Sequence, residues 1–146
     1  MTSLRLVDHI THLKFDNSFN EPIISWPPLL TYIKFGDCFN QSIKSWPPLL
    51  THLKFGWDFN EPITLWPLLL THIKFGGNFN QPITLWPPRL TYLSFGWGSN
   101  FNQPITQWPP LLTHLKLSNN YKHIINCSKK IKFKIYDNYN LIKSYI

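Results

Sequence analysis

Two sets of polar residues recur along the chain at intervals of twenty residues, with one interval of twenty-two, and their types could bind metal ions or anions. Imidazole is the commonest metal ligand in proteins, and lysine often binds carboxylate or phosphate groups. Both sets therefore mark candidate binding positions. The first set is His12, Tyr32, His52, His72, Tyr92 and His114, and the second is Lys14, Lys34, Lys54, Lys74, Ser94 and Lys116.

The histidines do not predict a metal site. His52 and His72 are expected to lie side by side, but a zinc site needs three or four convergent ligands with supporting hydrogen bonds, and tyrosine interrupts the set on both sides of this pair. The two cysteines, Cys38 and Cys127, show no CxxC spacing and are interpreted as free thiols. We therefore expect no metal and no cofactor.

Catalytic patterns are also missing from the sequence. The seven acidic residues occupy different positions of the repeat, no serine lies in a nucleophile-elbow context, and no glycine-rich phosphate loop precedes a helix. An active site needs unlike residues at one place, whereas this chain repeats like residues. The sequence predicts a protein that is not an enzyme.

A repeat of about twenty residues explains these spacings. The block Thr51-His52-Leu53-Lys54-Phe55 has counterparts in every unit, and each unit continues with a Phe-Asn block and a Trp-Pro block. Two extra residues within 96–100 lengthen the fifth unit, as loops allow. We number the units coils 1 to 6, which begin at residues 11, 31, 51, 71, 91 and 113.

The residue pattern of each unit predicts one short β-strand, followed by an extended return segment that leads to the strand of the next unit. Apolar and polar residues alternate at Ile33, Lys34 and Phe35, and proline in the return half rules out a helix of ordinary length. Strands one coil apart run in the same direction and stack about 4.8 Å apart. The fold class is thus mainly β: a solenoid of about six 20–22-residue coils, with a parallel β-sheet on one face and extended or 3₁₀ Pro-rich return segments.

Identical positions in successive coils form columns in such a solenoid. Six columns are expected to point inward, and the asparagines that begin at Asn20 are expected to bond to loop backbone groups. Trp57 and Trp97 occur in only two coils and are candidate exposed anchors for a partner, with packing onto a neighbouring loop as an equal alternative. The inward columns are typified by Leu30, Ile33, Phe35, Phe39, Ile43 and Trp46.

With the unit written L-T-H-L-x-F-G-x-x-F-N-x-P-I, the chain resembles the FNIP repeat proteins, a leucine-rich-repeat-like family abundant in social amoebae and in giant DNA viruses that infect amoebae. The resemblance covers about residues 10–117. The eponymous block stands at 59–63, 79–83 and 101–105, while Ser42 replaces its proline in coil 2. Trp-Pro-Pro replaces the family's usual Leu-Pro-x-Ser-Leu return segment.

The resemblance implies an interaction scaffold whose non-core strand residues face the concave side of a leucine-rich-repeat-like solenoid. Some family members carry an F-box or a kinase domain, but only about nine residues precede coil 1 here, so we expect no F-box adaptor role. The leading hypothesis is that the two polar sets bind a protein partner, through an acidic segment. The alternative is that these residues are family consensus on a structural repeat protein without a specific partner.

The formal charge of +7 is concentrated near the end of the chain. Residues 10–117 carry seven basic and five acidic side chains, a balance of +2, whereas the remaining +5 follows residue 117. Nucleic-acid binding through Lys129 to Lys134, with Phe133 and Tyr136 interleaved, is therefore a second hypothesis. The same lysines would also protect an edge strand, and Ile131–Ile135 is predicted to form the final strand.

The chain is expected to be one solenoid domain over 1–146, with an N-terminal cap at 1–10, FNIP-like repeats at 11–117, and degenerate repeats with a C-terminal cap at 118–146. Residues 1–10 lack the layout of a signal peptide, and no apolar run reaches the roughly twenty residues of a membrane helix. We therefore expect a monomer in the cytoplasm, or the host cytoplasm if the protein is viral, without membrane attachment.

Overall fold

A computed structural model of the chain describes residues 8–125, 132–137 and 140–145. Within these ranges the chain forms eight short strands and no helix. All eight strands belong to one sheet, and their order in the sheet is their order in the chain. The strands are β1 (His12–Lys14), β2 (Tyr32–Lys34), β3 (His52–Lys54), β4 (His72–Phe75), β5 (Tyr92–Phe95), β6 (His114–Ser118), β7 (Lys132–Asp137) and β8 (Asn140–Tyr145).

The strands of neighbouring coils pair in parallel with equivalent residues opposite one another. His52 faces His72 and Lys54 faces Lys74, and the register is kept from β5 to β6 although coil 5 is two residues longer. The predicted solenoid with a parallel sheet is confirmed for β1 to β7.

The core consists of stacked columns of identical side chains. Phe35 and Phe55 lie with ring centroids 5.5 Å apart, and Phe39 and Phe59 6.1 Å apart, both nearly parallel. The leucine before each strand is also fully buried, as at Leu50. A single coil cannot bury both faces of such rings, so each coil needs its neighbours to fold.

The return half is less buried than predicted. Each return contains one tight turn, in which the N–H of Leu30 bonds to the carbonyl of Pro27 in coil 1. The Ile43 and Trp46 columns pack against the core but are only partly buried. The reason is that the indole N–H needs an acceptor at the rim, and Trp46 donates to the carbonyl of Leu65 in the next coil at 2.9 Å.

An asparagine ladder joins the loops that follow the strands. The backbone N–H of Asn60 donates to Oδ1 of Asn40 at 2.8 Å, and Asn80 bonds to Asn60 in the same way. The side chain thus satisfies a backbone donor that the irregular loop leaves without a strand partner. The predicted structural role of this column is confirmed.

Glycine allows the coils to approach closely where the strands end. A Cβ placed on Gly56 would overlap the carbonyl of Gly36, and one placed on Gly77 would overlap the ring of Trp57. Position 56 therefore excludes any larger residue unless the coils move apart, whereas a larger residue at position 77 would displace the ring of Trp57.

The end of the sheet differs from the sequence-based prediction. Strand β7 lies where a strand was predicted, but it is not the last one, because β8 pairs with it antiparallel. The lysines of β7 therefore do not lie on the edge strand of the sheet. Residues 1–7 of the expected N-terminal cap, and Lys129, Lys130 and Tyr139 of the expected C-terminal region, lie outside the described residues.

Candidate functional site

The two polar sets lie side by side on one face of the sheet. Strand residues alternate between faces, so the buried Leu53 separates His52 from Lys54 along β3. The register aligns each set into a column across β1 to β6, as predicted. We call the two columns together the polar strip. The ring column is His12, Tyr32, His52, His72, Tyr92 and His114, and the lysine column is Lys14, Lys34, Lys54, Lys74, Ser94 and Lys116.

The rings of the first column stack on one another. The closest pair is His52 and His72, whose centroids lie 4.2 Å apart at an interplanar angle of 12°. His72 stacks on Tyr92 at 5.4 Å, and Tyr92 on His114 at 6.1 Å. The ring column therefore presents a nearly continuous aromatic surface beside the lysines.

The preceding threonine fixes the tautomer of the rings of His52, His72 and His114. Oγ1 of Thr51 lies 3.0 Å from the carbonyl oxygen of Thr31 and 2.9 Å from Nδ1 of His52. A hydroxyl has one proton, and the carbonyl can only accept it, so the proton of the second contact belongs to Nδ1. His72 makes the same contact with Thr71. In the neutral ring Nε2 is then left as a hydrogen-bond acceptor.

Partial burial keeps the two central imidazoles neutral. Desolvation lowers the pKa of His52, and the charge of His12 lowers it further. Desolvation also lowers the pKa of His72, with smaller contributions from His52, Lys74 and His114. At neutral pH the ring column therefore offers ring edges and acceptor atoms, while the positive charge comes from the lysine column.

The lysine column concentrates positive charge. Desolvation and the neighbouring charges of Lys34 and Lys74 lower the pKa of Lys54, whereas Asp37 raises it. Adjacent lysines come from strands about 4.8 Å apart, so their repulsion is reduced but not removed by salt. An anion bound over the column would relieve this repulsion.

The lysine column is interrupted in coil 5. Ser94 lies opposite Lys74 on one side and Lys116 on the other. Both lysines lean over the ring of Tyr92, with Nζ atoms 5.6 and 5.7 Å from its centroid. A pocket of about 310 Å³ opens beside Ser94, with Trp97 also in its lining. We call this pocket, which Ser94 and Lys116 both line, the Ser94 notch.

Trp57 and Trp97 are both partly exposed and partly packed. About 43% of Trp57 and 42% of Trp97 is exposed. The ring of Trp57 packs on Gly77 of the next coil, and both tryptophans line a groove of about 330 Å³ that also contacts Lys34 and Lys54. The exposed part of each ring leaves the anchor role as a prediction.

Sequence reasoning grouped the polar strip correctly but missed the notch. Ser94 stood in the lysine set as one more member, and its burial to 9% exposure was not foreseen. The available signal was that serine replaces lysine at one position only, directly before the two-residue insertion. Within the described ranges, His, Cys, Asp and Glu come together in no group of three able to hold a metal ion.

Comparison of the sequence with known protein families also finds the repeat. The FNIP repeat family matches residues 39–65 and 67–97. These two segments of the chain are similar to FNIP repeats. By the register of the sheet, coils 1 and 6 repeat the same pattern on either side of the matched segments. No curated protein shows significant similarity to the sequence.

The chain also resembles a solved structure. It is the crystal structure of CroV588, described as a novel circular LRR protein, from the giant virus CroV. The two chains superpose with a TM-score of 0.77 and 39% sequence identity, over 90% of this chain and 21% of the other. This chain thus spans about a fifth of that protein. The leucine-rich-repeat-like solenoid predicted from the sequence is confirmed.

FNIP repeats and leucine-rich-repeat-like solenoids are not known as families of enzymes, and repeat solenoids generally serve as scaffolds for protein interactions. In the part of the chain that the structure describes, no helix is both long and apolar enough to cross a membrane.

Proposed function

We propose that the chain is a non-enzymatic scaffold that binds an acidic segment of a partner protein along the polar strip. The observation that carries this proposal is the alignment of Lys14, Lys34, Lys54 and Lys74 by the register of four parallel strands. A row of like charges held by the backbone is a fixed site for a row of opposite charges.

The geometry of the strip supports an extended segment. A bound chain that crosses the strands would pass one lysine about every 4.8 Å. A segment in the polyproline II conformation advances about 3.1 Å per residue with three residues per turn, so its side chains three positions apart lie on one face about 9.3 Å apart. Acidic residues at that spacing would lie over alternate lysines such as Lys34 and Lys74. The stacked rings of His52 and His72 would pack against the apolar part of the segment.

The test compares two charge reversals of equal size. Lys34→Glu with Lys54→Glu alters the strip, and Lys44→Glu with Lys122→Glu alters two exposed lysines elsewhere in the repeat. Binding of a fluorescein-labelled acidic peptide of mixed glutamate and glycine would be measured by anisotropy at two salt concentrations. Each lysine contact with the peptide contributes about 1 kcal/mol, so reversing both charges should weaken binding about tenfold or more.

The matched control decides the interpretation. We expect the Lys44 and Lys122 variant to bind nearly as well as the unaltered protein. Equal weakening in both variants would mean that net charge alone attracts the peptide, and it would refute a site on the strip. A partner purified from cells should likewise be lost by the Lys34 and Lys54 variant and retained by the control.

Nucleic-acid binding would give a different result. Phosphodiester strands bound through the basic segment near β7 would bind both variants similarly and show a steep salt dependence. Single-stranded DNA of mixed sequence is the comparison probe. The proposal requires the acidic peptide, and not DNA, to depend on Lys34 and Lys54.

A further inference from the structure

A groove of about 330 Å³ joins the polar strip to an aromatic surface. It is lined by Lys34 and Lys54 of the lysine column and by the rings of Trp57 and Trp97. Strands β2 and β3 end at these two lysines, so the groove lies beside the lysine column at the carboxyl ends of the strands. We call it the tryptophan groove. A ligand bound over the two lysines would therefore share one groove with exposed indole rings.

Trp57 is held in place by the glycine of the next coil. A Cβ added to Gly77 would lie 2.5 to 2.7 Å from three consecutive ring atoms of Trp57, Cε2, Cζ2 and Cη2. An approach to the ring edge would bring the middle atom clearly closer than the other two, so the glycine lies against the ring face. The far end of the ring reaches Gly98 of coil 5, whose added Cβ would lie 3.8 Å from Cη2. One ring face is thus packed, while 43% of the residue remains exposed.

Gly77 belongs to a column in which the other coils carry larger residues. The N–H of Asn78 bonds to the carbonyl of Trp57, and the N–H of Asp58 bonds to the carbonyl of Asp37 in the same way. These bonds place Asp37, Trp57 and Gly77 at equivalent positions of coils 2, 3 and 4. Because the ring already lies on Gly77 before any ligand arrives, binding would order little additional side chain. Trp57 is therefore a preformed surface for stacking.

The charged groups that line the groove leave it net positive. They are the two ammonium groups of Lys34 and Lys54 and the one carboxylate of Asp37. Oδ1 of Asp37 accepts a hydrogen bond from the backbone N–H of Trp57 at 3.3 Å. The groove therefore suits a ligand that is anionic at the lysines and aromatic at the indole rings.

We propose that the tryptophan groove binds an aromatic side chain of a partner protein, beside an acidic residue of the same segment that lies over the lysine column. Stacking on a tryptophan face adds to the apolar area that an aromatic ring buries, and tryptophan is enriched among residues that anchor partners. An aliphatic side chain would bury area without this stacking. The inference rests on the proposed function in taking the segment to be acidic, and it adds the residue that makes binding selective.

The conformation proposed for the bound segment brings such a side chain to the groove. In polyproline II three residues complete a turn, so the side chains point in three directions. When the acidic residues face the lysine column, the two residues between them point to either side, one toward the ring column and one toward the tryptophan groove. An aromatic residue one or two positions after an acidic residue would therefore enter the groove, and the direction of the segment decides which.

The experiment measures binding of fluorescein-labelled peptides by anisotropy. The reference peptide has glutamate at every third position and glycine elsewhere. Two test peptides carry one phenylalanine, one or two positions after the central glutamate, and two more carry leucine at the same places. We expect one phenylalanine peptide to bind about tenfold more tightly than the reference, and its leucine counterpart about threefold more tightly. Equal binding of the phenylalanine and reference peptides, or of the phenylalanine and leucine peptides, would overturn the proposal.

Trp57→Ala is the decisive variant, and Leu68→Ala is its control. The first removes the stacking surface, whereas the second removes an apolar side chain that is 73% exposed on a return segment and does not line the groove. We expect Trp57→Ala to abolish the tenfold advantage of the phenylalanine peptide and Leu68→Ala to leave it unchanged. The proposal fails when both variants reduce the advantage equally or when Trp57→Ala retains it.

Gly77→Asn tests the stacking surface with Trp57 still present. Asparagine stands at the equivalent position of coil 1, as Asn17, but at position 77 its side chain would occupy the space of the Trp57 ring. We expect the advantage of the phenylalanine peptide to fall about fivefold. Far-UV circular dichroism and unchanged binding of the reference peptide would show that the repeat is still folded. An undiminished advantage in this folded variant would overturn the proposal.

Single-stranded DNA of mixed sequence is the comparison ligand, because a base can also stack on tryptophan beside a bound phosphate. DNA binding that depends on Trp57, together with peptide binding that does not, would overturn the proposal in favour of nucleic acid.

The ratio of the two peptide affinities separates this inference from the proposed function. The ratio of phenylalanine to reference peptide reports on the groove, and the loss of both affinities after reversal of Lys34 and Lys54 reports on the strip. If the ratio depends on Trp57 while the reversal weakens neither peptide, the aromatic site stands and the strip proposal fails. If the reversal weakens both peptides while they bind equally well to the unaltered protein, only the groove proposal fails.

Discussion

Coils 2 to 4 and coil 5 are built on the same repeat but differ in regularity. In coils 2 to 4 every strand presents a lysine, and Trp46 and Trp66 donate to the carbonyl of the next coil. In coil 5 the lysine is Ser94 and the loop is two residues longer. At the boundary between coils 4 and 5, the buried Nε1 of Trp86 has no hydrogen-bond partner among the described residues.

The comparison teaches that the repetition stabilises the fold and the irregularity creates a distinct pocket. Stacked phenylalanines and the asparagine ladder stabilise the solenoid because each coil offers the next coil the same groups. Coil 5 breaks the repetition, since Ser94 and Trp97 line one pocket with Lys116, while Lys74 and Lys116 both lie over the ring of Tyr92.

The largest expected difference between the two regions comes from glycine to alanine substitutions. A Cβ on Gly56 would overlap the backbone of Gly36, whereas a Cβ on Gly96 would lie 3.1 Å from the carbonyl oxygen of Phe75. We expect Gly56→Ala to lower the free energy of unfolding by about 3 kcal/mol or more, and Gly96→Ala by about 1 kcal/mol or less.

Urea denaturation of both variants measures this difference. The same methyl group is added in each case, so the contrast isolates the spacing between coils. Similar losses in the two variants would mean that coil 5 is packed as tightly at this point as the regular coils, and the comparison would lose its structural basis.

A smaller difference is expected for the tryptophans. Trp66→Phe removes the donor to the carbonyl of Leu85, at 2.8 Å, and Trp86→Phe removes a buried N–H that has no partner within the described residues. The lost ring volume is the same. Trp66→Phe should therefore lower the free energy of unfolding by about 1 to 2 kcal/mol more than Trp86→Phe does, because only the first variant breaks a hydrogen bond.

Chemical denaturation monitored by far-UV circular dichroism tests this pair of variants. That signal reports mainly on the backbone, so it does not rely on the fluorescence of the tryptophan that has been replaced. Equal losses of unfolding free energy in the two variants would show that Trp86 is hydrogen-bonded in solution, for example to water. The boundary between coils 4 and 5 would then be as well satisfied as the others.

The smallest effect is a pH dependence that arises in the regular coils. Burial lowers the pKa of His52 and of His72, so as the pH falls below about 6.5 the unfolded chain takes up protons before the folded chain does. Stability from these residues is present above that pH and is lost as the pH falls further. His52 is exposed and His72 is only partly buried, so the fall in Tm between pH 7 and 5 should be about 1 °C.

A double substitution isolates this contribution. Tyrosine stands at the equivalent position in coils 2 and 5, as Tyr32 and Tyr92, so His52→Tyr with His72→Tyr keeps the column aromatic. Differential scanning calorimetry at several pH values should give a flatter profile for this variant. A profile as steep as that of the unaltered protein would assign the acid sensitivity to other groups.

Much of the fold could be predicted from the sequence because each position recurs. Alternation at Ile33, Lys34 and Phe35 identified the strands, and the constant interval identified their register. The final strand was predicted incorrectly. The antiparallel β8 has no counterpart in the repeat, so a pattern learned from coils 1 to 6 held no information about it.

The candidate site was predictable only in part. The interval of twenty placed His52 beside His72 and Lys54 beside Lys74, as the structure shows. It did not predict that two lysines would lean over Tyr92, because rotamers depend on what the neighbouring strands leave open.

By itself the sequence determined a parallel solenoid, its buried phenylalanine columns and the alignment of the polar strip, because a fixed repeat length forces equivalent residues into register. Only the tertiary structure decided the burial of Ser94, the packing of Trp57 on Gly77 and the position of the Trp86 N–H, which has no partner among the described residues. These features depend on distances between side chains of different coils, and such distances are set by packing in three dimensions.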